Sequence, residues 1–350
     1  MGSYRGLTWD HPRGRDALVE ASVRRGIDLV WEVQPLSGFE STPISELAER
    51  YDVIVLDHPH LGDAKEHLQP VDELLEGEFV GPSVASYRLD GHLWALPLDA
   101  ATQVAATRTD LAGPPPRLWR EVVELSRAAP VALSVAGPHA LLTFSSISVA
   151  LGEEPTFAPT DTAHRALELM TDLTTRAPRH TRSLDPIALL DTMVADDTIA
   201  HCPLIYGYVN YAPTVTFTDA PSERPGSRPG STIGGTGLAI TRRCRPTAEL
   251  LDHLRWLLSA TAQEMFVPQY SGQPARLSAW TSDAVNVRTG DFYRGTLRTI
   301  SEAWVRPRQP GYIEFQTAAS EVARDVVYGE VTATAGLDRI ATLWKGIGDE

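Results

Sequence analysis

Tyr87-Arg88-Leu89-Asp90-Gly91-His92-Leu93-Trp94-Ala95-Leu96-Pro97-Leu98-Asp99 is the stretch on which the fold turns. From Leu93 the pattern stays extended as far as Arg108, and Pro114-Pro115-Pro116 then marks a loop. Upstream, strand and helix signals alternate. Gly6–Trp9 reads as a strand, Arg15–Arg25 as a helix, Ile27–Trp31 as a strand, Ser45–Arg50 as a short helix, and Val53–Leu56 as a continuous apolar strand. Such a run suits a strand covered on both faces, and the alternation predicts an α/β domain.

Downstream the pattern starts again. Val131–Val135 is expected as a strand, and Ala163, Ala166, Leu167, Met170 and Leu173 form one helical stripe. Asp185 before Pro186 predicts a helix start, with a capping carboxylate and proline in the first turn. Ile199–Tyr206 reads as a strand, and residues 221–231 as the most loop-like piece of the chain. Leu250, Leu251, Leu254, Leu257 and Leu258 mark an amphipathic helix. Thr261 with Glu264 fits a capping box for another, and the chain from Asp291 onward reads as mainly helical.

The composition bounds the function. The 350 residues suit about two domains. A net charge of −14, with no run of basic residues, argues against nucleic acid and anionic membrane surfaces. No stretch approaches the ~18 apolar residues of a membrane span, so no membrane insertion is expected. No charged segment followed by an apolar one opens the chain, so as written it is expected to be cytoplasmic. Cys202 and Cys244 are too few for a disulfide framework. Buried thiols are the expectation, and a single bridge stays open.

Four segments, taken in order, resemble the extracellular solute-binding proteins of carbohydrate ABC transporters, the maltose-binding-like type II periplasmic binding proteins. Tyr87–Asp99 is similar to the segment where that family's chain first crosses between lobes. Leu118-Trp119-Arg120-Glu121-Val122 resembles a helix start. Gly234-Gly235-Thr236-Gly237-Leu238-Ala239-Ile240 is similar to the return crossing, and Ser271-Gly272-Gln273-Pro274-Ala275-Arg276 to a later turn. The resemblance implies an α/β, two-lobed venus-flytrap fold with mixed sheets flanked by helices and a ligand cleft between lobes. One discontinuous lobe would hold residues 1–98 and 236–305, and the other 99–235 and 306–350. It also implies a monomer, a small-molecule ligand, an ABC permease as partner, and a periplasmic or extracellular location.

The candidate site residues lie where such a cleft would open. Asp10-His11-Pro12 follows the first strand, ending at Trp9, and Asp57-His58-Pro59-His60 follows Val53–Leu56. Proline biases each preceding histidine to an extended turn. Asp10, His11, Asp57, His58 and His60 could therefore converge, either as hydrogen-bonding groups for hydroxyls or a carboxylate, as helix-capping turn formers, or as metal or acid–base groups. Their spacing matches no zinc motif. Tyr206, Tyr208, Asn210 and Tyr211 offer aromatic faces and polar tips suited to sugar rings. Gly235 and Thr236 lie at the return crossing, Asp99 and Gln103 at the first, and Gln273 at the later turn. Arg306, Arg308 and Tyr312, near Pro307 and Pro310, could present cations to an anionic ligand, but read rather as a solvated helix end. No nucleotide loop and no nucleophile elbow is present, and no cofactor is expected.

Two functions follow as expectations. One is a binding protein closing over a sugar, polyol or related hydroxylated compound for ABC-type uptake. The other is an intracellular enzyme on the same scaffold, using His11, His58 and His60 for acid–base or metal-assisted chemistry.

Overall fold

The computed structural model describes residues 3–347; residues 1–2 and 348–350, the outer ends of the two expected lobes, lie outside them. β1 (Tyr4–Trp9), β2 (Leu29–Gln34) and β3 (Val53–Leu56) form a parallel group in the order β2-β1-β3. All four β3 side chains are buried, as expected of a strand covered on both faces. Between β1 and β2 runs α1 (Pro12–Arg25). The His11 ring accepts a hydrogen bond from the Arg13 amide, Pro12 fills the first turn, and Gly26 ends the helix with a left-handed φ of 65°. After β2 comes the short α2 (Leu36–Ser41).

β4 (Leu96–Thr107) runs through both lobes. Its second half pairs antiparallel with β5 (His201–Tyr206) and β6 (Thr216–Thr218), and its first half with β7 (Ile233–Thr241), which pairs in turn with β3. The two long strands are thus the crossings expected from the sequence. Gly235 has a φ of 92°, and a Cβ there would collide with the Asp99 carbonyl, so only glycine allows the strands to cross this closely. The chain passes between lobes again through residues 267–275, where the Gln273 side chain donates to the Ala100 carbonyl and accepts from the Val209 amide.

Each lobe has its own core. In the first, Leu7, Ile54, Leu96 and Leu238 pack with Leu250, Leu254 and Leu257. The second lobe's strands are covered on two sides. α3 (His139–Ala150), α4 (Asp161–Arg176), α8 (Tyr312–Val327) and α9 (Ala333–Gly346) pack on one side, and α5 (Pro186–Ala195) and α7 (Phe292–Ser301) on the other; α6 (Ala248–Leu257) belongs to the first lobe.

Three sequence expectations differ from the structure. Residues 275–300 were assigned to the first lobe, yet Ala275, Trp280, Phe292 and Ile300 pack with Val104, Ile205 and Leu190 of the second. An apolar helical stripe does not say which of two cores it will cover. Val131–Val135 makes only a single bridge, Val131 to His201, rather than a strand. Thr261 sits in helical conformation without capping anything, and Ala262–Phe266 forms a π-helical turn.

Candidate functional site

A cavity of about 70 Å³ lies between the lobes, at the carboxyl ends of β1 and β3 and beside the crossing strands. This is where open α/β sheets place their ligands. Trp9, at the end of β1, packs its ring 5.3 Å from Phe39 of α2. Together with Tyr206 and Tyr208 from the end of β5, they give the cavity aromatic walls.

Two buried ion pairs flank this space. Arg13, in the first turn of α1, donates from Nε to Asp99 Oδ2 at 2.7 Å and from Nη1 to the Gly207 carbonyl at 3.1 Å. Its guanidinium carbon lies 4.6 Å from the centre of the Tyr208 ring. On the other side, Arg306 donates to Asp57 and to Gln316 Oε1. Burial alone would raise the Asp57 carboxyl, but Arg306 and His58 beside it hold it well below the usual carboxylate range. A third contact closes the mouth, with Glu40 Oε1 of α2 lying 3.2 Å from His139 Nε2 at the start of α3.

The polar atoms left over are the telling feature. Trp9 Nε1, His60 Nε2, both ring nitrogens of His139, Tyr206 Oη, Thr236 Oγ1 and Arg306 Nε are buried, belong to residues lining this cavity, and have no hydrogen-bond partner among the described residues. Buried polar side-chain atoms in native proteins nearly always have a partner. Seven such atoms around one space define a polar recognition surface set in aromatic walls. The donors are fixed at Trp9 and Arg306, while the hydroxyls of Tyr206 and Thr236 can donate or accept.

The sequence-predicted residues divide into two groups. Trp9, Asp57, His60, Tyr206, Tyr208, Gly235 and Thr236 line the cavity. The others do not. Asp10 is exposed and paired with Arg15 at 2.6 Å. Gln103 turns into the second lobe, where its side chain bonds Thr143 and Ser146. Asn210 is exposed, and Tyr211 donates to Asp191 at 2.7 Å. Asp99 and Gln273 serve the hinge.

The histidines do not converge. His11 caps α1 with its ring 4.9 Å from Tyr208, and His58 lies fully buried with Nδ1 3.0 Å from Asp57. Of the three, only His60 reaches the cavity wall. Burial lowers the pKa of His11 and of His58 to about 4 each, with Arg13 and Arg306 adding to the effect, so both are neutral near pH 7. Among the described residues, no group of three potential metal ligands forms.

Sequence reasoning missed Arg13, Glu40 and His139, and misread Arg306 as solvated when it is 3% exposed. One signal was readable for Arg13. A cation in the first turn of a helix opposes the helix dipole and requires a compensating carboxylate, here Asp99.

No family model matches the chain, and no curated protein sequence matches it. Solved structures do. The maltose-bound MalE3 of T. maritima superposes with a TM-score of 0.82 at 18% identity, covering 99% of each chain. A solute-binding protein from Agrobacterium radiobacter K84 in complex with ribitol gives 0.79 at 20% identity, over 97% of this chain and 96% of that one. A Thermotoga lettingae solute-binding protein bound with α-D-tagatose gives 0.80 at 16% identity, over 99% and 100%. At these identities the likeness establishes the fold: the chain has the two-lobed architecture of ABC-transporter solute-binding proteins. No helix among the described residues is long and apolar enough to cross a membrane.

Proposed function

We propose that this protein binds one small neutral polyhydroxylated ligand, a sugar or sugar alcohol, between its lobes and presents it to an ABC-type permease. The observation that carries the reading is the set of partnerless polar atoms at Trp9, His60, His139, Tyr206, Thr236 and Arg306, around a space walled by aromatic rings. Hydroxyls both donate and accept, so a polyol satisfies fixed donors and adaptable hydroxyls together, while its C–H faces pack on tyrosine and tryptophan.

Charge favours a neutral ligand over an acid. The cavity is lined by two arginines, Arg13 and Arg306, and two carboxylates, Asp57 and Glu40. Each arginine already holds a carboxylate, so neither offers an uncompensated charge to a ligand anion. The solved neighbours were found with maltose, ribitol and tagatose, and their fold supports the same reading here. The ligand acts by preferring the closed arrangement, in which groups from both lobes touch it at once.

The enzyme reading loses its basis, because His11 and His58 are held outside the cavity. A thermal-shift screen of hexoses, disaccharides, pentitols, hexitols, hexonic acids and divalent metals tests the proposal. A ligand at about 100 times its Kd adds about 2.7 kcal/mol of stability. Shifts with neutral sugars or polyols support the proposal; shifts confined to acids or metals contradict it.

A further inference from the structure

Arg13 lies in the first turn of a first-lobe helix, yet its guanidinium touches three parts of the molecule. Nε and Nη2 hold Asp99 on the first crossing strand, with 2.7 Å between Nε and Oδ2. The remaining amino group donates to the Gly207 carbonyl at 3.1 Å, in the turn that leaves β5 in the second lobe. One face of the guanidinium lies against the ring of Tyr208, 4.6 Å away. Tyr208 also lines the ligand cavity. An unbroken line of contacts therefore runs from the cavity wall, through a second-lobe tyrosine, to a first-lobe arginine and on to the hinge strand.

We infer that Arg13 is the positioning residue that links the ligand cavity to lobe closure, rather than a ligand anchor. The inference rests on the binding-protein reading above and adds to it the device by which closure is held. The two halves of the Arg13 contact set belong to different bodies. Asp99 pairs with Thr236 on the crossing strands and faces the first lobe's side of the hinge, so its bond to Arg13 survives opening. Gly207 and Tyr208 belong to the second lobe and move away with it. Opening therefore removes one charge-assisted hydrogen bond and one cation–π contact while leaving the buried ion pair intact. Arginine suits the role because its planar fork can hold a carboxylate with two nitrogens and still offer a third to the carbonyl. Lysine has no such geometry.

The carboxylate also keeps the guanidinium pointed at the second lobe when the cleft is open. Closure then requires no rotamer search by a long side chain. Arg13 and Tyr208 both line the cavity, so a ligand packed against the Tyr208 ring immobilises the partner that Arg13 grips, and occupancy and closure reinforce each other. His11 adds a further contact to the same ring, at 4.9 Å between centres.

The test is a distance measurement on the full chain without ligand. Spin labels at exposed Val30 in the first lobe and Val194 in the second report lobe separation by pulsed electron resonance. Wild type should show a closed component, and Arg13→Gln should lower the closed-to-open ratio about ten-fold, equivalent to about 1.4 kcal/mol. Tyr208→Leu, which spares the Arg13–Asp99 pair, should shift the ratio the same way by a smaller factor and serves if Arg13→Gln does not fold. Val23→Ala, on the exposed face of α1, should leave the distances unchanged. Equal distance distributions in wild type, Arg13→Gln and Tyr208→Leu, or a wild type with no closed component, would overturn the inference. The thermal-shift screen is read separately: a shifted lobe distance without any sugar or polyol binding removes the ligand assignment and leaves the role of Arg13 standing.

Discussion

Replacing Thr236 by valine should leave the ligand-free protein as stable as wild type, while Thr241→Val on the same strand should not. Both threonines are buried, at 3% and 0% exposure, and valine matches each in shape. They differ in partnership. The Thr241 hydroxyl donates to the Tyr51 carbonyl at 2.8 Å, with the Asp52 carbonyl at 3.3 Å, whereas the Thr236 hydroxyl has no partner in the protein. Removing one partner of a buried hydrogen bond costs about 1–3 kcal/mol, because the other is left unsatisfied. For domains of 150–250 residues, each kcal/mol moves the Tm by roughly 2–4 °C. Thr241→Val should therefore lower the Tm by several degrees, and Thr236→Val should leave it level or raise it slightly. With a bound polyol the order reverses, because only Thr236→Val leaves a ligand hydroxyl unpaired, at a cost of roughly ten-fold in affinity or about 1.4 kcal/mol. Scanning calorimetry with and without ligand measures both effects. Equal destabilisation of the two ligand-free variants would refute the claim that the Thr236 hydroxyl is held in reserve for a ligand.

Other outcomes follow from the same geometry. Gly235→Ala should destabilise by roughly 2 kcal/mol or more, through left-handed strain and collision with the Asp99 carbonyl; a denaturation midpoint equal to wild type would contradict this. Arg306→Met should cost about 3–5 kcal/mol by leaving Asp57 buried without its cation, and adding Asp57→Leu should restore part of the loss. A double variant no more stable than Arg306→Met would count against that pairing. Acid should weaken the fold through its buried histidines. Buried His58 and His201 have folded pKa values of about 4 and about 3, lowered chiefly by burial, against about 6.5 unfolded. Their contribution is complete above pH 6.5 and is lost as pH falls toward the folded values. At pH 5 each ring should cost about 2 kcal/mol, and a Tm that stays constant from pH 8 to pH 5 would contradict this.

Much of the architecture was legible because its signals are local. The all-apolar β3, the proline-led start of α1 and the glycine-rich return crossing each follow from a few adjacent residues. The cavity was legible mainly where a strand end aims a side chain. Trp9, Asp57 and Tyr206 were found in this way, because the carboxyl end of a strand fixes their direction, and Thr236 was found from the return crossing it lies on. Gln103 and Gln273 were misplaced because a polar residue in or beside a crossing strand can equally bond the interior of a lobe. Glu40, His139 and Arg306 come from short helices and a connecting segment, whose orientation is set by packing between distant parts of the chain. The repeated Asp-His-Pro turn misled most. One copy caps a helix, and in the other Asp57 and His60 reach the cavity while His58 is buried away from it, since a proline turn fixes backbone direction but not which side chain faces the gap.

The account stands or falls on what enters the space between Trp9, Tyr206 and Thr236. Isothermal titration of ribitol, D-mannitol, D-tagatose and maltose into wild type, and into the paired substitution Tyr206→Phe with Thr236→Val, addresses it directly. One neutral compound should bind at one site per chain, and the paired substitution should weaken it at least ten-fold without lowering ligand-free stability. Binding of the same strength in both proteins would place the ligand elsewhere and contradict the account.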